Sequence, residues 1–218
     1  MLIKNLSFEA VPFVEFSDPV YRVLELMQDN GMLHIVVQHE EKFAGLVAED
    51  ALLEIDEDIK LGELQYLLKD ISVKEDDHFL KAVSLAASNN ISIIPLVDAA
   101  GNLAGTLHAR TLLKHVAEFM HLKEAGAMVV LEVDPQQYSF SEINKIIETN
   151  DAQITQLNTS HTETGAMQVT IKLNKLEVSD IVSTFQRYEY NIRYYSGEEL
   201  YTNELKSNYE NLMNYLNI

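Results

Sequence analysis

Lys42-Phe-Ala-Gly-Leu-Val-Ala-Glu-Asp-Ala-Leu-Leu53 comes back sixty residues later as Asn102-Leu-Ala-Gly-Thr-Leu-His-Ala-Arg-Thr-Leu-Leu113. Ala44, Gly45, Leu52 and Leu53 recur as Ala104, Gly105, Leu112 and Leu113. Each copy reads as the end of a strand running into the start of a helix, and an internal repeat has to be recognised before anything else is inferred. Working outward, Val11 to Phe16 is β-prone, and Ser17-Asp18-Pro19 looks like a helix start, with Asp18 as cap and Pro19 in the first turn. Val20, Val23, Leu24 and Met27 give that helix one apolar face, and Asn30-Gly31 ends it. Leu33 to Val37 and Phe43 to Val47 read as strands around the turn His39–Lys42, and a second helix is expected from near Glu49.

Adding sixty reproduces this order without an insertion. Ile71 to Val73 becomes the strand, and Leu80, Val83, Ala86 and Ala87 the helix face. Asn89-Asn90 is the stop, Ile91 to Val97 and Leu103 to Leu107 are the strand pair, and Leu112, Leu113, Val116, Ala117 and Met120 form a helix face beginning near Arg110. The unit is β-α-β-β-α, written twice. One copy alone would leave its sheet uncovered, so the two are expected to pack on each other.

Composition narrows the function classes. The chain has 218 residues, is 47% hydrophobic, and carries 16 basic against 34 acidic residues for a net charge of −18. Both residues 1–122 and 123–218 carry more acids than bases, so no basic stripe exists for phosphate backbones or anionic lipid, and neither nucleic acid nor membrane is an expected partner. No apolar run approaches the roughly 20 residues of a spanning helix. The opening Met-Leu-Ile-Lys-Asn-Leu does not read as a signal peptide, and with no cysteine there is no disulfide frame or thiolate site; a cytoplasmic location is expected.

Asp18-Pro-Val-Tyr-Arg-Val-Leu-Glu-Leu-Met27, Ile91-Ser-Ile-Ile-Pro-Leu-Val-Asp98 and the two Ala-Gly steps resemble a tandem CBS-domain pair, or Bateman module. The resemblance places repeat 1 at residues 1–62 and repeat 2 at 63–122. It implies two sheets packed face to face with clefts that often hold adenosine-containing ligands. In nucleotide-binding members the strand-to-helix step resembles Gly-x-x-Thr/Ser-x-x-Asp, whose hydroxyl serves phosphate and whose acid holds both ribose hydroxyls. Counted from Gly45 those places hold Ala48 and Ala51, and from Gly105 they hold His108 and Thr111. Losing a charge-assisted hydrogen bond costs ~1.5–3 kcal/mol, so adenine nucleotides stay open as ligands only without the usual ribose acids. No cofactor is required. Candidate ligand contacts are Val14, Ala48 and Asp50 in the first repeat, and Ile71, Val73, Pro95, His108, Arg110 and Thr111 in the second. His108 and Arg110 can meet a phosphate beside a helix N-terminus, or can simply cap the helix and face water.

Leu122 to Ala127, with Gly126, reads as a linker. Met128 to Val133 is a strand, and Ser139-Phe-Ser-Glu142 is a capping box ahead of a helix with Ile143, Ile146 and Ile147 on one face. Ile154 to Ser160 and Ala166 to Leu173 flank the turn Thr162–Gly165, with Gln168, Thr170 and Lys172 on a wet face. Asn174 with Glu177 offers a second cap, Val178, Ile181, Val182 and Phe185 face inward, and Asn191 to Tyr195 closes as a strand. This β-α-β-β-α-β order is ferredoxin-like. At residues 128–197, behind two CBS-like repeats, it resembles an ACT domain, and the whole order is similar to the acetoin-utilisation regulatory proteins. The fold class expected is therefore α/β (α+β), tandem CBS repeats followed by an ACT-like domain. Where ACT domains usually place glycine beside their amino-acid ligand, this chain has Asp134-Pro-Gln-Gln-Tyr-Ser139. Asp134, Gln136, Gln137 and Tyr138 are candidate contacts, but Gln137 or Tyr138 would crowd such a ligand, and a structural or dimerising role stands beside it. In the tail, 198–218, Leu205, Tyr209, Leu212 and Leu216 share one helical side, suited to docking on this chain or on a second protomer.

The seven histidines show no ligand spacing, and no Gly-x-Ser-x-Gly or Walker loop occurs, so no metal site and no catalytic residue is expected. The sequence thus points to a non-enzymatic regulator or sensor, expected to form a homodimer. The alternative is an interaction module with vestigial clefts that acts on an enzyme or transporter by protein contact.

Overall fold

Strand β1 (Phe13–Glu15) lies parallel to β2 (His34–His39), and β2 pairs antiparallel with β3 (Lys42–Ala48), with α1 (Val20–Asp29) between the first two. The same set follows as β4 (Val73–Lys74), α2 (Phe79–Asn89), β5 (Ile93–Val97) and β6 (Leu103–His108), closed by α3 (Ala109–Phe119). These coordinates are a computed structural model that describes residues 1–6 and 12–196. Val11 and the tail residues Leu205, Tyr209, Leu212 and Leu216 lie outside the described residues. The chain divides into two units, Met1–Val116 and Ala117–Ile218.

The repeats match, but not at one constant offset. Val14 faces Val37 and Val73 faces Leu96, 59 residues on in both cases, whereas Gly45 faces Val37 and Gly105 faces Leu96, 60 residues on. One extra residue therefore sits in the second hairpin turn, and the reading without an insertion is corrected. Helix α2 precedes that turn and keeps the offset of 59. The structural equivalents of Val20 and Val23 are Phe79 and Ala82, which are buried, while Leu80 is 41% exposed. The helix face expected at Leu80 and Ala87 was turned by one residue, about 100° on a helix. Leu113 on α3 is likewise 70% exposed and only its neighbour Leu112 is buried. Ile71 lies just ahead of β4 rather than in a strand.

Helix entry repeats in detail. The Asp18 carboxylate accepts the Glu15 N–H at 2.9 Å and pairs with Arg22 at 3.2 Å, and Asp77 does the same with Lys74 at 2.9 Å and Lys81 at 2.7 Å. Pro19 is thus the cap residue of α1, and Asp18 tightens the preceding turn instead of capping the helix. The free N–H groups at each helix start are met by chain distant in sequence: Val20 and Tyr21 donate to the Ile59 and Glu57 carbonyls at the end of repeat 1, and Phe79 of repeat 2 donates to the Met1 carbonyl of repeat 1. At the helix ends Gly31 and Asn90 hold the same left-handed conformation, φ +61° and +52°.

Where the first repeat was expected to start its second helix, residues 49–58 form successive turns. Glu54, Asp56, Glu57 and Asp58 place like charges at helical i, i+3 and i, i+4 spacings, which opposes a helix, and the Glu57 and Ile59 carbonyls are drawn to the start of α1. Leu52 is nonetheless fully buried, like Leu112, so its anchoring role is retained. Val23, Met27, Ile35 and Leu46 join Phe79, Ile94, Leu96 and Leu107 in one core shared by both repeats.

In the second unit β7 (Met128–Val133), α4 (Phe140–Glu148), β8 (Ile154–His161), β9 (Met167–Leu173), α5 (Ser179–Arg187) and β10 (Asn191–Tyr195) form an antiparallel sheet in the order β10-β7-β9-β8. This is the ferredoxin-like arrangement. Ile143, Ile147, Ile181 and Phe185 bury one sheet face with Val129, Leu131, Val169 and Ile171. Ser139 caps α4 by accepting the Glu142 N–H at 3.3 Å, but Glu142 does not complete the box; its carboxylate takes the Tyr190 hydroxyl at 2.6 Å. Asn174 caps no helix. It accepts the Gln153 N–H at 2.8 Å, and α5 starts later, where Glu177 accepts the Ser179 N–H at 3.1 Å. Lys172, expected on a wet face, is 8% exposed.

Candidate functional site

The pseudo-symmetry of the repeats produces two related cavities in the first unit. The larger, about 600 Å³, lies between the start of β2 (Leu33, His34), the end of β3 (Ala48, Asp50) and the end of α2 (Asn89, Asn90). The smaller, about 350 Å³, is formed by the equivalent pieces with the repeats exchanged: Asn30 and Gly31 from the end of α1, Ile93 from β5, and His108, Arg110 and Thr111 from the start of α3. Ser92 and Ala109 line both. Each cavity takes one wall from the strand ends of one repeat and the opposite wall from the helix end of the other.

The two linings differ where symmetry would make them alike. His34 in the first cavity has Ile93 as its counterpart, and Ala48 and Asp50 have His108 and Arg110. His34 is 8% exposed; its Nδ1 is 3.2 Å from Ser92 Oγ and 3.4 Å from the Ser92 backbone N–H, which donates to it. Burial holds this imidazole below its usual range, the Lys69 ammonium adds to that, and Asp50 opposes both. The first cavity therefore presents a neutral histidine, a cation at Lys69 and carboxylates at Glu49 and Asp50. The second presents the Arg110 guanidinium, the His108 imidazole and the Thr111 hydroxyl, with no carboxylate among the described residues lining it.

Of the candidates from sequence, Ala48 and Asp50 line the first cavity, and His108, Arg110 and Thr111 the second. Val14, Val73 and Pro95 are buried in β1, β4 and β5, Ile71 is half-buried, and none of the four is among the residues lining either cavity. Sequence reasoning did not single out His34, Lys69 or Ser92. One signal was available: His34 is the polar residue in an otherwise apolar run, Leu33–Val37, and the counterpart run, Ser92–Leu96, has Ile93 in its place.

In the second unit Asp134 closes its own loop, its carboxylate accepting the Gln136 N–H and its carbonyl the Gln137 N–H, each at 2.8 Å. Asp134 and Gln137 line a cavity of about 350 Å³ with Glu132, Glu142 and Tyr190. Gln136 is exposed and Tyr138 packs half-buried on the second core. Hydrogen bonding from Arg193 holds Glu132 below the usual carboxylate range. Burial, reinforced by Glu142, holds the Tyr190 phenol well above its own. So many acids in one wall disfavour the carboxylate of an amino acid. Among the described residues no three His, Asp or Glu side chains come together as a metal-binding group, and no helix is long and apolar enough to cross a membrane.

Residues 3–58 and 62–118, together more than half of the chain, match the family model of the CBS domain. A CBS domain pair/ACT domain protein from Thermotoga maritima is similar in structure, with 25% identity over 54% of this chain and 98% of that one and a TM-score of 0.49. A CBS domain-containing protein from Bacillus anthracis is 23% identical over 54% of this chain and 94% of that one, TM-score 0.45. The cytosolic domain of the Mg²⁺ channel MgtE, solved with ATP, is 18% identical over 50% of this chain and 46% of that one, TM-score 0.43. No match was found among curated protein sequences.

Proposed function

The chain belongs to the CBS-domain family, and we propose that it is a non-enzymatic regulator whose CBS pair binds a small ligand in the larger cavity and passes the change in packing to the ACT-like domain. The observation that supports this reading is the unequal chemistry of two symmetry-related cavities. A pair kept only as scaffold has no need to place His34, Lys69, Glu49 and Asp50 around one cavity while its equivalent carries Ile93, His108 and Arg110 and, among the described residues, no carboxylate. Ala51 and Thr111 stand where nucleotide-binding members carry the ribose acid, so the ligand is not read in the usual adenosine manner. The mixed charge of the larger cavity suits a small molecule with both a cationic and an anionic group. The ACT-like loop contributes no second ligand site in this reading. Exposed Tyr194 and Tyr195 on β10, an edge strand, are suited to a homodimer contact instead.

The reading is tested by thermal shift of the full chain against adenine nucleotides, adenosyl cofactors, amino acids and divalent ions. A ligand at 100 times its dissociation constant adds ~2.7 kcal/mol to the native state, a large shift. The expected result is a shift with a zwitterionic member, lost in Ala48→Trp, which fills the first cavity, and kept in Thr111→Trp. No shift with any member favours the second reading, a contact module that regulates an enzyme or transporter through its surface. The similarity to acetoin-utilisation regulators belongs to the same proposal and rests on the order of domains alone.

A further inference from the structure

His34 stands where the two repeats meet, and its contacts with the Ser92 hydroxyl and backbone N–H cross between them. A backbone N–H can only donate, so the nitrogen that receives the Ser92 N–H, Nδ1, holds a lone pair, and the proton of the neutral ring is on Nε2. The Ser92 hydroxyl, 3.2 Å away, can donate to the same nitrogen. The Ser92 carbonyl in turn accepts the N–H of Ala109, the first residue of α3, at 2.9 Å. Ser92 and Ala109 are the wall common to both cavities. On the other side of the pseudo-twofold the Leu33 carbonyl accepts the Glu49 N–H at 3.0 Å in the same way, but the residue in the place of His34 is Ile93, buried and without a polar atom. At this position one side of the pair carries a titratable group and the other does not.

We propose that His34 is a proton-operated latch between the two repeats. Neutral, it fastens the start of β2 to Ser92. Protonated, Nδ1 becomes a donor, faces the Ser92 N–H donor to donor, and keeps only the Ser92 hydroxyl oxygen as a partner. The loss is passed through the Ser92 backbone, from its N–H to its carbonyl, to Ala109 and so to the wall of both cavities. The charged groups around the ring are Glu49 and Asp50, following β3, and Lys69; the end of α2 contributes the neutral Asn89 and Asn90. Burial and Lys69 favour the neutral ring and Asp50 the charged one, with the first two prevailing. The latch is therefore closed at neutral pH and opens below the usual imidazole midpoint of ~6.5. Because the native ring binds its proton less readily than the unfolded one, its contribution to stability is complete above that value and is lost as the pH falls through the window beneath it.

The test is a pH titration of the full chain by ¹⁵N NMR of the histidine rings and the backbone, without added ligand. The expected result is an Nε2–H tautomer for His34 at pH 7.5, a ring midpoint below the usual value, and Ser92 and Ala109 amide shifts that follow that midpoint. In His34→Gln the acid-linked movement of those two amides is lost, and the thermal midpoint falls less between pH 7.5 and 5.5 than in the native chain. An Nδ1–H tautomer, amides that stay still while the ring titrates, or the same movement in His34→Gln would overturn the latch. If His34→Gln does not fold, the tautomer and the coupled amide shifts of the native chain decide the matter alone. A missing ligand in the thermal-shift panel leaves this result unaffected, so the two proposals fail separately.

Discussion

Replacing Gly45 by alanine tests the seam between the repeats more directly than any other single change. Its φ is +152°, a conformation that side-chain-bearing residues rarely adopt, and a Cβ built there would lie 2.8 Å from the Leu68 Cβ and 3.3 Å from the Lys69 carbonyl oxygen. The close approach exists because Leu46 and Lys69 exchange backbone hydrogen bonds of 2.9 and 2.8 Å, laying the chain that enters repeat 2 along β3 of repeat 1. The backbone strain amounts to about 1–3 kcal/mol. Pushing residues 68–69 away adds about 1–3 kcal/mol, as overpacking of a filled interior does. The total, roughly 2–6 kcal/mol, corresponds to a melting midpoint lower by about 8–24 °C at roughly 4 °C per kcal/mol. Gly101→Ala is the control, since Gly101 also has positive φ, +85°, but nothing within 4 Å of the added carbon. It isolates the backbone part, about 1–2 kcal/mol. Scanning calorimetry of both variants decides the matter, and a Gly45→Ala midpoint no lower than that of Gly101→Ala would refute the claim that the seam is closely packed there.

Tyr190→Phe removes the 2.6 Å bond to Glu142 and is expected to cost about 1 kcal/mol in urea unfolding, the ordinary value for a charged acceptor reduced for solvent exposure. Because the native phenol is held above its usual range, that difference from the native chain is complete below pH ~10 and is lost as the pH rises beyond it, which an alkaline ultraviolet titration also reads as one late tyrosine. Ser139→Ala is expected to cost about 1 kcal/mol through the lost cap on α4, read in the same unfolding experiment. AMP and ATP should leave the thermal midpoint of the full chain unmoved, and micromolar ATP binding would show that the missing ribose acids are bypassed. Light scattering at micromolar concentration should give twice the 24.7 kDa of one chain, and a persistent single-chain mass would refute the dimer.

The amino-acid sequence by itself determined the repeat, the ferredoxin-like order that follows it, and the apolar faces of α1, α4 and α5, because each rests on a local pattern: strand alternation, helical spacing, a stop at Asn30-Gly31, a cap at Ser139. It also determined what stands in place of the ribose acids, since that is a matter of counting from Gly45 and Gly105. Tertiary structure alone decided the rest. A turn lengthened by one residue, Asp98–Asn102 against His39–Lys42, leaves no trace in periodicity, yet it makes the offset 60 only after the turn, while α2, ahead of it, keeps 59 and buries Phe79 and Ala82 rather than Leu80. Residues 49–58 became turns as the Glu57 and Ile59 carbonyls serve the start of α1, nearly forty residues earlier in the chain. His34 acquired its meaning from Ser92, Lys69 and Asp50, which pairing of the repeats brings together across 58 residues of sequence. Local patterns follow from the geometry of single elements and can be read along a chain, whereas a cavity is made by groups distant in sequence, and only the packing of the repeats says which of them meet.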